Sequence, residues 1–231
     1  MTASIGVAAR AVAATTTEIV AINPASGPAS IEGYFDEAFA VPGLLEEIVR
    51  GDRDGADGFV IACFDDTGLE AARCATNKPV VAIGEAAFHM ASLIAHRFSV
   101  VTTLSRSIAP IEANLVKYGL DRRAARVRAC EVPVLALEDP GSDAREKLSA
   151  EIGRALRDDG ADAIVLGCAG MAELAAALAR EHRAPVVDGV AAAVKLVEAL
   201  VALGFGTSKL GPYAAPLPKR FTGAFAGMGA G

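Results

Sequence analysis

Two similar stretches of sequence decide the fold of this chain: GADGFVIACFDDTGLEAAR, residues 55–73, and GADAIVLGCAGMAELAAAL, residues 160–178. Each consists of Gly-Ala-Asp, a short apolar run, a cysteine, a turn and an Ala-rich helical pattern. Their first residues and their cysteines, Cys63 and Cys168, are separated by the same offset of 105 residues. A repeat of this length indicates two copies of one supersecondary unit.

The similarity continues downstream, where KPVVAIGEAA (78–87) matches APVVDGVAA (184–192) with a slip of one residue. In both copies the sequence predicts a Pro-Val-Val strand, a glycine and a second helix. Two such halves predict an α/β fold of two similar lobes related by a pseudo-two-fold axis. Each lobe is expected to be a mainly parallel sheet flanked by helices.

Short β-branched runs alternate with longer helical patterns along the chain, and the runs are continuously apolar, as in strands buried on both faces. The predicted strands are Thr17–Asn23, Gly58–Ala62, Val80–Ile83, Phe98–Thr102, Val127–Val132, Ala163–Leu166 and Val186–Val187. The predicted helices are 3–13, 37–50, 67–75, 85–96, 108–118, 143–158, 170–181 and 190–203.

The repeat also predicts the division of the chain. We expect an N-terminal lobe of residues 1–97 plus 204–231 and a C-terminal lobe of residues 98–203. The offset places the counterpart of strand Phe98–Thr102 before Met1, so the first lobe is expected to lack its opening strand. Residues 204–231 are rich in Gly and Pro and predict a surface loop and tail, with Gly227–Gly231 mobile.

Composition and charge narrow the class of partner. The net charge of −6 argues against nucleic acid, because phosphate binding needs a basic face. No apolar stretch is long enough for a membrane span, and the N-terminus does not resemble a signal peptide, so we expect a cytoplasmic protein that binds a small molecule. The four cysteines form no CxxC pair, so no metal site is expected.

Cys63 and Cys168 each follow a predicted strand, and ligands of parallel α/β sheets bind beyond the carboxyl ends of strands. Both also precede a predicted helix, whose amides and dipole are expected to lower the thiol pKa. Racemisation needs one group to remove a proton from one face of a carbon and another to deliver a proton to the opposite face. Two equivalent cysteines would meet that need as thiolate base and thiol acid, with no cofactor.

The charge on the deprotonated substrate must be held by hydrogen-bond donors, and amides next to the cysteines and hydroxyls after a strand are candidates. The predicted substrate-binding residues are Phe64, Asp65, Thr102, Thr103, Gly167, Ala169 and Gly170. Two alternatives are simpler: Asp65 and Asp66 could cap the helix near Thr67, and Ser105 or Ser107 could cap the next helix.

Other cysteine chemistries fit less well. A phosphatase loop needs an arginine six residues after the cysteine, where this chain has Leu69 and Leu174. A Cys-His hydrolase stays open, although the three histidines fall within a predicted helix or directly after one. A two-lobed small-molecule binding protein without turnover is the alternative from another functional class.

The chain resembles the hydantoin racemase group of the aspartate/glutamate racemase superfamily. The resemblance implies two α/β lobes around a cleft, two cysteine bases at Cys63 and Cys168, no cofactor, and a homo-oligomer. The segments that carry it are NPASGPASIEGYFDEA (23–38), VIACFDDTGL (60–69), GEAAFHMA (84–91), FSVVTTLSRSIAPIE (98–112), VPVLALE (132–138), IVLGCAGMAEL (164–174), VVDGVAAAVKL (186–196) and LGFGTSKLGPYAAP (203–216).

The resemblance implies racemisation at C5 of 5-monosubstituted hydantoins and leaves allantoin open as a close alternative. Aspartate or glutamate racemisation and isomerisation of a cis-diacid are further alternatives, whereas the related decarboxylase keeps only one cysteine. One departure concerns the family's opening strand, which ends in an Asn-Pro-Asn-Thr type turn that has no counterpart here. Asn23-Pro24 belongs to the next predicted strand.

Overall fold

A computed structural model describes residues 1–226, which form an α/β fold with two parallel sheets. The strands are β1 Phe59–Ile61, β2 Val80–Ala82, β3 Phe98–Thr102, β4 Ala124–Ala129, β5 Ala163–Gly167 and β6 Val186–Val187. The α-helices are α1 Thr2–Val12, α2 Tyr34–Arg53, α3 Leu69–Ala75, α4 Ile83–Ile94, α5 Ile108–Lys117, α6 Ala144–Asp158, α7 Ala175–His182 and α8 Gly189–Ala202. Short 3₁₀ helices cover Ser105–Ser107, Val134–Glu138, Ala169–Leu174, Gly211–Tyr213 and Gly223–Phe225.

All neighbouring strands run parallel, which confirms the predicted α/β class. Strands β1 and β2 form one sheet, and the other sheet has the order β4-β3-β5-β6. Every residue of β2, β3 and β5 is buried, so these strands have helices on both faces, as continuous apolar runs predict. In a parallel sheet the carboxyl ends of the strands share one edge, and this edge positions the site.

The last helix of each half packs against the sheet of the other half. Helix α4 follows β2 but contacts β5 and α8, whereas α8 follows β6 but contacts β1 and β2. The two helix starts approach closely, because a Cβ at Gly189 would lie 2.5 Å from the carbonyl oxygen of Ile83. This reciprocal packing agrees with two related halves, and the lobe boundaries themselves remain a prediction.

Two predicted strands need correction. Residues Thr17–Asn23 form no strand, since they pair with no other strand of residues 1–226 and their apolar side chains Val20 and Ile22 are exposed. The strand predicted at Val127–Val132 lies at Ala124–Ala129. As an edge strand it tolerates Arg128, which forms ion pairs with Glu151 and Asp159, so continuous apolarity is a poor guide there.

Residues after α8 run along the surface beside α3. The amide of Thr207 donates to the carbonyl of Asn77 at 2.8 Å, and Lys209 Nζ donates to the carbonyl of Arg73 at 2.6 Å. The predicted mobile end, Gly227–Gly231, lies outside the described residues. Across residues 1–226, the helices are too short or too polar to cross a membrane.

Candidate active site

The two cysteines occupy equivalent turns at the carboxyl ends of β1 and β5. The carbonyl of Cys63 accepts the amide of Asp66 at 3.2 Å, and that of Cys168 accepts the amide of Met171 at 3.1 Å. The amide two residues after each cysteine, from Asp65 and Gly170, faces the sulfur and favours its thiolate. The sequence offset of 105 therefore corresponds to a repeated backbone turn that holds a half-buried thiol.

Both thiols have a raised pKa, contrary to the expectation from the sequence. Burial first, and then the negative charge of Asp65, raise the pKa of Cys63 to about 12. Burial and the same carboxylate raise the pKa of Cys168 to about 11. The expected helix dipole is missing at Cys63, because α3 begins only at Leu69, and Cys168 precedes a short 3₁₀ helix.

Asp65 is the acidic group that couples the two thiols. Its side chain is 9% exposed, Ser107 Oγ donates to its Oδ2 at 3.2 Å, and Asn114 Nδ2 donates to its carbonyl at 2.8 Å. Burial, followed by the charge of Glu37, raises the pKa of Asp65 to about 7. The Asp65 carboxylate therefore lies near enough to Cys63 and Cys168 for its charge to raise the pKa of both thiols.

Replacing Asp65 with Asn removes this charge and keeps the backbone amide that faces Cys63. We expect the pKa of both thiols to fall by about one unit, so both thiolates form at lower pH. The pH dependence of iodoacetamide alkylation at each cysteine, followed by peptide mass spectrometry, measures the shift. Asp121→Asn on an exposed loop is the control, and an unchanged or higher alkylation midpoint in Asp65→Asn would contradict the coupling.

The residues beside Asp65 anchor the Cys63 turn to the core. The ring of Phe64 packs edge-on against Phe88, with 5.4 Å between ring centroids. Asp66 caps α4 rather than the helix after Thr67, because its carboxylate accepts the amides of Gly84 and Glu85 at 2.8 and 2.9 Å. The predicted capping of the helix near Thr67 by Asp65 or Asp66 is therefore wrong, since α3 has no side-chain cap.

The predicted contacts after β3 and β5 have several roles. Thr102 Oγ1 donates to the carbonyl of Gly167 at 2.9 Å, so its proton is used within the sheet. A Cβ at Gly167 would lie 2.7 Å from Thr102 Cβ, which explains the glycine. Thr103 is buried, and its carbonyl accepts the amide of Val132 at 3.1 Å.

The amides that directly follow the cysteines have no hydrogen-bond acceptor among the described residues. Those of Phe64 and Ala169 donate to no other residue within 1–226. Ala169 and Gly170 also line a cavity of about 420 Å³ with Ser4, Leu137 and Glu138, but the described lining contains neither cysteine. We therefore base the site on the cysteine turns rather than on that cavity.

Sequence reasoning missed several residues of this centre. Thr67 Oγ1 lies 3.3 Å from Cys63 Sγ, and its position four residues after the cysteine could have indicated that contact. Ser107 directly precedes α5, but its hydroxyl donates a hydrogen bond to Asp65 instead of capping the helix. Glu37 acts on Asp65 from α2, which no spacing in the sequence indicates. Residues 1–226 contain no cluster of three or more metal-ligating side chains.

Comparisons with known proteins show the family of the chain. The family model for Asp/Glu/hydantoin racemases matches residues 1–197. The chain is 47% identical to a hydantoin racemase of Pseudomonas sp. (strain NS671), covering 99% of this chain and 92% of that protein. It is 50% identical to a hydantoin racemase of Rhizobium meliloti, covering 90% of this chain and 86% of that protein.

Among solved structures, an allantoin racemase from Klebsiella pneumoniae superimposes with a TM-score of 0.96 at 53% identity. The superposition covers 99% of this chain and 93% of that one. Sequence, fold and family model thus agree over most of the chain, and the chain belongs to the Asp/Glu/hydantoin racemase family as an enzyme of the racemase class.

Proposed function

We propose that the enzyme racemises 5-monosubstituted hydantoins, including allantoin, by a two-base proton transfer at C5 that uses Cys63 and Cys168 and no cofactor. The observation that carries the proposal is the repeated cysteine turn around the shared carboxylate of Asp65. The relatives support a hydantoin ring as the substrate, since they are hydantoin racemases and an allantoin racemase.

In the proposed reaction one thiolate removes the proton at C5, and the electron pair moves onto the oxygen of the adjacent ring carbonyl. The amides of Phe64 and Ala169 are the donors suited to that oxygen. The other thiol then delivers its proton to the opposite face of C5, and the carbonyl is restored. The proton removed stays on the first sulfur, so the enzyme is left ready for the mirror-image substrate.

The raised pKa of each thiol has two opposing effects on this reaction: it lowers the fraction of thiolate and makes each thiolate a stronger base. With pKa values of about 11 and 12, only about one thiol in 10³ to 10⁴ is ionised at pH 8. The few thiolates present are stronger bases than an ordinary cysteine, which favours removal of a weakly acidic C–H proton. The rate should therefore rise with pH through the alkaline range.

The enzyme itself is tested with an optically pure 5-substituted hydantoin in heavy water. We expect the optical rotation to decay to zero while deuterium enters C5, because every inversion passes through a deprotonated carbon. Retained rotation and no deuterium uptake, despite measurable binding, would favour the binding-protein alternative. Racemisation of aspartate or glutamate at a higher kcat/KM than any hydantoin would favour the amino-acid alternative.

As part of the same proposal we infer a cytoplasmic homo-oligomer that acts on small molecules. The four cysteines are free thiols, which suits a reducing compartment. The side chains of Phe35 and Phe39 are 77% and 61% exposed with ring centroids 4.9 Å apart, and such a patch favours a subunit contact. Sedimentation velocity of the purified enzyme measures the subunit number.

A further inference from the structure

One oxygen of the half-buried Glu37 carboxylate is shielded from water without a partner. Its Oε1 is buried and accepts no hydrogen bond from any residue of 1–226. Burial raises the pKa of this carboxyl group. A buried acceptor without a donor costs free energy, and a functional role at a site is one of the established reasons for keeping such a group.

Helix α2 packs on the segment that leads from Cys63 to α3. Glu37, Val41 and Leu44 are spaced so that they share one face of the helix. A Cβ at Gly68, in the segment between Cys63 and α3, would lie 2.8 Å from Leu44 Cδ2 and 3.3 Å from Val41 Cγ2. The helix face that carries Glu37 therefore rests on the segment that leads from the cysteine.

A second observation places Glu37 at the same centre. Its charge is the main electrostatic influence on Asp65, and the Asp65 carboxylate acts in turn on Cys63 and Cys168. The hydroxyl of Ser107 donates a hydrogen bond to Asp65 Oδ2, whereas Glu37 Oε1 accepts no hydrogen bond within residues 1–226. Of these two carboxylates, Glu37 is the one with a fully buried oxygen that has no donor among residues 1–226.

We propose that Glu37 selects the C5 substituent by accepting hydrogen bonds from its N–H groups, so that the enzyme prefers ureido or amide substituents over apolar ones of equal shape. This inference rests on the proposed function, since it assumes that a hydantoin ring binds between the two cysteines. A ureido group offers donors to the free oxygen. An alkyl group leaves that oxygen unpaired, and a substituent carboxylate is repelled by it.

Three hydantoins with nearly the same substituent shape separate these effects: allantoin, 5-isobutylhydantoin and 5-carboxymethylhydantoin. Glu37→Met removes the acceptor with little change in side-chain length, and Glu37→Gln keeps a carbonyl oxygen but removes the charge. Glu46→Met, at an exposed position of the same helix, is the matched control. Comparing kcat/KM of variant and wild type for each substrate cancels differences in C5 acidity between the three rings.

We expect Glu37→Met to lower kcat/KM for allantoin by about 10- to 100-fold, with a change of less than about 3-fold for 5-isobutylhydantoin. Glu37→Gln should lose less on allantoin than Glu37→Met, and both variants should improve on 5-carboxymethylhydantoin. Glu37→Met should also unfold at the same temperature as wild type or higher, because it removes an unpaired buried acceptor.

An equal loss on allantoin and 5-isobutylhydantoin, or no loss on allantoin, would overturn this role of Glu37. Equilibrium binding of the same three compounds keeps this result separate from a failure of the proposed function. If wild type racemises none of them, the two-cysteine proposal fails. A selective loss of allantoin affinity in Glu37→Met would then still support substituent recognition, and an unchanged affinity would refute it.

Discussion

Cys63→Ser and Cys168→Ser should each lower kcat/KM for racemisation of a 5-substituted hydantoin by about 10³-fold. A serine hydroxyl is a far weaker acid than a thiol, so it neither becomes a base at usable pH nor delivers a proton as readily. Neither variant should lose its fold, because both thiols are half-buried and oxygen replaces sulfur with little change in shape.

Deuterium exchange gives this prediction a sharper form. With one sulfur left, the enzyme can still remove the C5 proton of one enantiomer and return a deuteron to the same face. We therefore expect Cys63→Ser to exchange C5 hydrogen in one enantiomer without inversion, and Cys168→Ser to do so in the other. Chiral chromatography with mass spectrometry of each pure enantiomer in heavy water distinguishes exchange from inversion.

Cys74→Ser is the matched control, since this thiol lies beside the C-terminal segment, where it donates to the carbonyl of Pro212 at 3.5 Å. It should retain racemisation within about 3-fold of wild type. If Cys63→Ser or Cys168→Ser racemised at a similar rate, the two-base mechanism would be wrong. If both variants exchanged the same enantiomer, the two sulfurs would not face opposite sides of C5.

The repeat allowed the cysteine turns to be predicted because it reports backbone geometry directly. Residues at equal offsets adopt equal turns, so Cys63 and Cys168 were identified together, whereas the amides of Asp65 and Gly170, predicted to bind substrate, face the sulfurs. The strands β3 and β6 were also predicted at their observed ends, since continuous β-branched runs have few alternatives in an α/β chain. For these strands the local sequence pattern and the tertiary structure agree, because burial in the same sheet determines both.

Properties that depend on contacts between distant elements could not be predicted. The thiol pKa values depend on burial and on Asp65, which outweigh the local dipole. Glu37 reaches the site because α2 packs on the segment after Cys63, a contact that periodicity does not encode. The predicted strand Thr17–Asn23 failed for a related reason, because an apolar run becomes a strand only when another strand pairs with it.

Gly84→Ala should destabilise the fold by about 3 kcal/mol and lower the melting temperature by roughly 6–12 °C. A Cβ at Gly84 would clash with the carbonyl oxygen of Phe64 and lie only 2.7 Å from Asp66 Oδ1. Both obstacles belong to the turn that follows Cys63, and Asp66 is also the cap of α4. The turn or the helix must therefore move, and racemisation should fall together with stability.

Gly153→Ala tests whether this loss comes from the close approach rather than from the loss of a glycine. Gly153 lies inside α6, where an added Cβ would lie 3.2 Å from Nη1, at the flexible end of the Arg157 side chain, and at an ordinary contact distance of 3.7 Å from His182 Cε1. Alanine favours a helix interior by up to about 1 kcal/mol over glycine, so this variant should melt at the same temperature or higher. Thermal unfolding followed by circular dichroism compares both variants with wild type. A loss of stability in Gly84→Ala without a loss in Gly153→Ala is required, because α4 can lie against the Cys63 turn only if residue 84 has no side chain.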